Sequence, residues 1–201
     1  MIESLIQEFK SRQNPRPVYF YCTRNPSEPE RSRPESILGS IARQLSCMTD
    51  GGDVLAPAQD FFTKRKQKGF TSVPPNLEEC TNLIIALSGA YPVTNIIIDA
   101  LDECNQASRL ILLESLEKIV VSSPSLIKVF ISSREDYDIV LHLKHCPNLE
   151  IAASRNEADV EFFIEKVVDE SVSKKQLLSG KPPSDLVKLI KEVLRQQAGA
   201  M

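Results

Sequence analysis

The stretch Thr94-Asn95-Ile96-Ile97-Ile98-Asp99-Ala100-Leu101-Asp102-Glu103 decides the fold. An unbroken aliphatic centre with polar residues only at the C-terminal end is the pattern of a parallel strand buried on both faces. Residues Ile127 to Ser133 repeat it, again turning polar at the end. Between the two, Leu110 to Val121 has the apolar spacing of a helix. Strands separated by helices imply crossover connections and a mostly parallel sheet flanked by helices. Ligands of such sheets bind at the C-terminal strand edge, where the polar residues of both stretches fall.

Upstream, Ile2, Leu5, Ile6 and Phe9 form one apolar stripe of a short helix, and Pro15 to Pro17 break it. Val18 to Cys22 is rich in strand formers. Ser32-Arg33-Pro34-Glu35 reads as a capping box opening a helix whose buried face is Ile37, Leu38, Ile41, Ala42 and Leu45. Gly51-Gly52 closes that unit. A helix over Val54 to Lys66 follows, then another after Asn76, with Leu77, Cys80, Ile84 and Leu87 inward. Downstream, Asp136 to His145 reads as a helix and Asn148 to Ala153 as a short strand. Asn156 opens a helix with Val160, Phe163, Ile164 and Val167 inward. Lys174 to Pro183 is a linker, and Ser184 caps a last helix carrying Leu186, Leu189, Ile190, Val193 and Leu194.

With 201 residues, 42% hydrophobic and 25% charged, the chain suits one sizeable core. A net charge of -3 provides no field for nucleic acid or an anionic membrane. No apolar run approaches the roughly 20 residues of a membrane span, and the acidic N-terminus is unlike a secretory signal. Five scattered cysteines without a C-x-x-C pair argue against a disulfide framework or zinc ribbon and suit a reducing, cytoplasmic setting. The basic run Lys64 to Lys68 reads as a solvated helix end. His142, His145 and Cys146 share a helix spacing but lack a fourth ligand.

The chemistry concentrates at the acidic strand end. Carboxylates there are fixed by rigid backbone yet open to the ligand crevice. Mg²⁺ is usually held by one or two carboxylates, water and substrate phosphates, and Asp99 is placed for the ion or its water shell. Asp102 or Glu103 is placed to orient an attacking water. Arg134, ending the neighbouring aliphatic stretch, has the planar fork that suits phosphate oxygens. Taken singly, it reads rather as a surface Arg paired with Glu135 or Asp136; beside the acidic strand the two readings weigh about equally.

Ile96 to Cys104 resembles the extended Walker B of NACHT-type STAND NTPases, as found in fungal NOD-like receptors and nephrocystin-like proteins. Val129 to Glu135 resembles their sensor strand. Val18 to Cys22 and Ser36 to Leu45 resemble the strand and helix between Walker A and Walker B, while Asn156 to Val160 and Gln197 to Met201 resemble the exit toward a helical region. The resemblance implies an α/β, P-loop NTPase-like (ASCE/STAND) core. It makes Asp99 the metal-side acid, Asp102 and Glu103 the hydrolysis-side acids and Arg134 the sensor, with Mg²⁺ and ATP or GTP as cofactors. Residues 1–172 would be a partial NACHT core, 173–183 a linker and 184–201 the start of the helical region.

The phosphate loop of that family, G-x-x-x-x-G-K-[ST], does not occur here; Gly180-Lys181 precedes Pro182 in the late linker. By the resemblance, the chain begins in the helix after that loop, and the core lacks the family's first strand. Charge-assisted hydrogen bonds contribute roughly 1.5–3 kcal/mol each. Losing three would therefore weaken binding by on the order of a thousandfold or more. The expectation is a partial NACHT-type nucleotide-binding domain that neither binds nor turns over nucleotide well alone. The rival is a non-catalytic regulatory module that self-associates or pairs with related NACHT proteins through exposed strand edges.

Overall fold

The computed structural model describes residues 17–47, 53–70, 72–150, 157–177 and 182–198. Its elements form two units, Met1–His145 and Cys146–Met201. The expected N-terminal helix, the Gly51-Gly52 break and residues 151–153 of the expected late strand lie outside the described residues; 148–150 carry no regular structure.

In the first unit, β1 (Val18–Tyr21), β2 (Val93–Asp99) and β3 (Leu126–Ile131) make a parallel sheet in the order β1-β2-β3. β2 therefore has a neighbour on each side. The registers align Tyr21 with Asp99 and Ile98 with Ile131, so all three strands end at one edge. Ile96 and Ile98 are fully buried on one face, and Ile97 is buried on the other beside Tyr19 and Phe130. Burial on both faces explains the unbroken aliphatic run.

The helices of this unit are α1 (Pro34–Leu45), α2 (Ala56–Gln67), α3 (Leu77–Ser88), α4 (Gln106–Ser122) and α5 (Tyr137–Leu143). α1 packs on β1, α4 on β3, and α3 on both α1 and α4. The α1 stripe Ile37, Leu38, Ile41, Ala42 and Leu45 is buried as its spacing predicts, as are Cys80, Ile84 and Leu87 of α3. Asn76 and Glu79 form a reciprocal capping box at the start of α3, satisfying two otherwise orphaned backbone donors.

The capping box expected at Ser32 does not form. A 3-10 turn at Pro29–Ser32 consumes that residue, whose hydroxyl donates to the Pro29 carbonyl, and Arg33 becomes the N-cap; Pro34 still opens the helix. The basic run is also not wholly solvated. Arg65 turns inward, pairs with Glu79 at 2.5 Å and donates to the Phe70 and Val73 carbonyls, pinning the end of α2 to α3. Salt-bridge partners supplied by a neighbouring helix outweigh the usual preference of such a run for water.

In the second unit, α6 (Glu157–Ser173) packs on α7 (Ser184–Ala198). Lys191 reaches Glu165 and Asp169, and Arg195 reaches Glu161 and Glu165. Only Ile164 and Val168 of α6 are buried. Val160, Phe163 and Val167, expected inward, are exposed, because a single helix pair covers only a narrow stripe of each partner. No described residue of α7 is buried.

Candidate functional site

Asp99 is the last residue of β2, and beyond it the chain turns sharply. Ala100 takes a left-handed conformation (φ 56°, ψ 53°), and a 3-10 turn, Leu101–Glu103, delivers Asp102 and Glu103 to the sheet edge. The left-handed residue costs an L-amino acid roughly 1–2 kcal/mol, so the surroundings must hold it. Ser132, one residue beyond β3, does so. Its hydroxyl donates to Asp99 Oδ1 and accepts the Ala100 amide at 3.0 Å, while its carbonyl accepts the Leu101 amide at 2.9 Å.

The two later acids are held from opposite sides. Asp102 Oδ1 accepts the Arg134 amide at 3.1 Å, and its Oδ2 lies 3.8 Å from Arg134 Nε. Glu103 Oε2 accepts the amide of Arg24, in the loop after β1, at 3.1 Å; the Arg24 guanidinium donates to the Asp102 carbonyl at 2.5 Å. The structure thus brings Asp99, Asp102, Glu103 and Arg134 to one edge. Arg134 keeps an 86% exposed side chain, open to a ligand or to water. It does not pair with Asp136, whose carboxylate is taken by the fully buried Arg109.

Arg24 and Arg109 are the residues that sequence reasoning missed. Arg109 lies on α4 at a position whose helical neighbours are apolar, and only its burial draws attention to it. Cys22 and Cys104 also pack here. Burial, reinforced by the negative charge of nearby groups including Asp99, pushes the Cys22 thiol up to about 12. Burial, chiefly, against the pull of Arg109, takes Cys104 to about 11. Both remain protonated, inert packing groups.

Among the described residues no cluster of three or more His, Cys, Asp or Glu is arranged to hold a metal ion. The donor set nonetheless suits a hydrated Mg²⁺, which needs only one or two protein carboxylates. Asp99 would hold it, since Ser132 engages one carboxylate oxygen as a neutral donor and no cation among the described residues pairs with its charge.

A three-stranded parallel sheet flanked by helices makes the first unit an α/β domain. Within that class, residues 1–134 match the family model described as "Nephrocystin 3, N-terminal", and the chain belongs to that family. No curated protein and no solved structure matched it.

Proposed function

We propose that this chain supplies the Walker B and sensor wall of a nucleotide site in a NACHT-type STAND signalling NTPase working in the cytoplasm. The supporting observation is the joined edge itself: Asp99 tied to Ser132, and Asp102 tied to Arg134, across adjacent parallel strands. In this reading Mg²⁺, when bound, supplies charge neutralisation beside Asp99. Asp102 and Glu103 orient water, and Arg134 swings onto phosphate oxygens. Nucleotide binding by these residues alone is weak, because no glycine-rich loop within the sequence cradles the phosphates.

The test is NMR titration of the 201-residue chain with Mg-ATP and Mg-GTP at millimolar concentrations. Weak, Mg²⁺-dependent shifts confined to residues 99–103 and 132–134, and lost in Asp99→Ala, are expected. Shifts elsewhere, or none at all, refute the reading.

A second reading rests on β3. Among the described residues it pairs only with β2, and Leu126 and Phe130 are 55% and 48% exposed. Such an edge favours association with a second copy or with related NACHT proteins, as a non-catalytic module would use it. Concentration-dependent mass in sedimentation, abolished by Phe130→Lys, supports self-association through this edge; a monomer at all concentrations refutes self-association. No helix among the described residues is long and apolar enough to cross a membrane.

A further inference from the structure

Arg109 is fully buried, yet the polar groups it bonds to lie outside the buried core. Its Nε and Nη2 donate to Asp138 at 2.9 and 2.5 Å, and its Nη1 lies 2.9 Å from Asp136 Oδ2. The same Nη1 donates to the Asp102 carbonyl at 3.2 Å. One side chain thereby ties the acidic turn after β2 to Asp136 and Asp138, at the N-cap and in the first turn of α5. Burying a guanidinium is expensive, and an apolar side chain of similar volume would serve packing as well or better. What an apolar residue cannot do is fix the separation of the acidic turn and the start of α5 through directional bonds.

We propose that Arg109 is a positioning residue that sets the approach of Asp102 to Arg134 by clamping the acidic turn to the 134–138 segment. This role rests on reading Asp102 and Arg134 as two sides of one site. The two aspartates at the outer end of the clamp are part-exposed, with side chains 41% and 39% accessible. The clamp is thus anchored inside and reachable from solvent outside.

The Arg134 amide provides a local readout. It donates to Asp102 Oδ1, so its proton shift moves as that carboxylate is protonated. The Asn76 amide donates to Glu79 Oε2 at 2.9 Å in the α3 capping box and serves as the internal control. Both shifts are followed against pH by NMR in the whole 201-residue chain, with no nucleotide, for the wild type, Arg109→Lys and Asp138→Asn. Lys keeps the charge but loses the fork; Asn keeps the shape at a part-exposed position and removes the charge.

In each variant the pH-dependent excursion of Arg134 should shrink to roughly half or less, as expected when the bonded arrangement becomes a minor population, while that of Asn76 is unchanged. An unchanged Arg134 excursion overturns the proposal. So does a parallel loss at Asn76, or unfolding of Asp138→Asn, because either means that the clamp supports the fold generally. Should Arg109→Lys alone fail to fold, Asp138→Asn decides. Because nucleotide plays no part, failure here leaves the nucleotide reading standing, and the reverse also holds.

Discussion

Replacing Ser132 with Ala removes one hydroxyl and the bonds it makes to two residues. The hydroxyl donates to the Asp99 carboxylate and accepts the amide of Ala100, which is held at φ 56°. A hydrogen bond to a charged group contributes about 1.5–3 kcal/mol and a neutral one about 0.5–1.5. Their sum is an upper bound, since Ser132 and Asp99 are only half-buried and water replaces part of what is lost. The expected loss is about 1–3 kcal/mol; at 2 kcal/mol the folded-to-unfolded ratio falls roughly thirtyfold. Urea denaturation followed by tyrosine fluorescence measures it cleanly. The chain has no Trp, and its four tyrosines, Tyr19, Tyr21, Tyr91 and Tyr137, all lie in the first unit, so the second does not contribute. Ser132→Thr, which keeps the hydroxyl, should stay within about 1 kcal/mol of wild type. A loss below about 0.5 kcal/mol for Ser132→Ala, the scale of an ordinary surface change, would refute the claim that Ser132 holds the acidic turn.

Two further outcomes follow from the same geometry. Hydrogen bonding from Arg109 holds the Asp138 carboxyl below its ordinary value of 3.8. Asp138 therefore contributes stability at neutral pH that is lost as pH falls below about 4 toward the lowered folded value. The melting-temperature gap between wild type and Asp138→Asn should accordingly narrow in acid; a gap that is constant with pH contradicts the pairing. Of the five cysteines, Cys47 and Cys146 are exposed while Cys22, Cys80 and Cys104 are buried. A thiol reagent should therefore label two rapidly in the native protein and all five in denaturant; fast labelling of a third contradicts the packing of the site.

Much of the architecture was legible because its signals are local. The isoleucine run of β2, the α1 stripe and the helix start after Asn76 each lie within a few residues, and the structure realises all three. The reading slipped where two local patterns competed or where burial depended on a distant partner. Pro29–Ser32 formed its own turn and took Ser32 from the helix cap. Val160 and Phe163 stayed exposed because, among the described elements of its unit, α6 packs on the single helix α7.

The sequence by itself determined that acids end a buried parallel strand and that an arginine ends the next, since strand periodicity and chain direction carry that information. Tertiary structure alone decided who bonds to whom. Strand register places Ile98 beside Ile131, and from there Ser132 meets Asp99, and Arg134 meets Asp102. Asp136, two residues after the exposed arginine, instead closes on Arg109, which lies 27 positions upstream by residue number. A buried guanidinium must find its acceptors in space, and no spacing along the chain announces which carboxylates those will be.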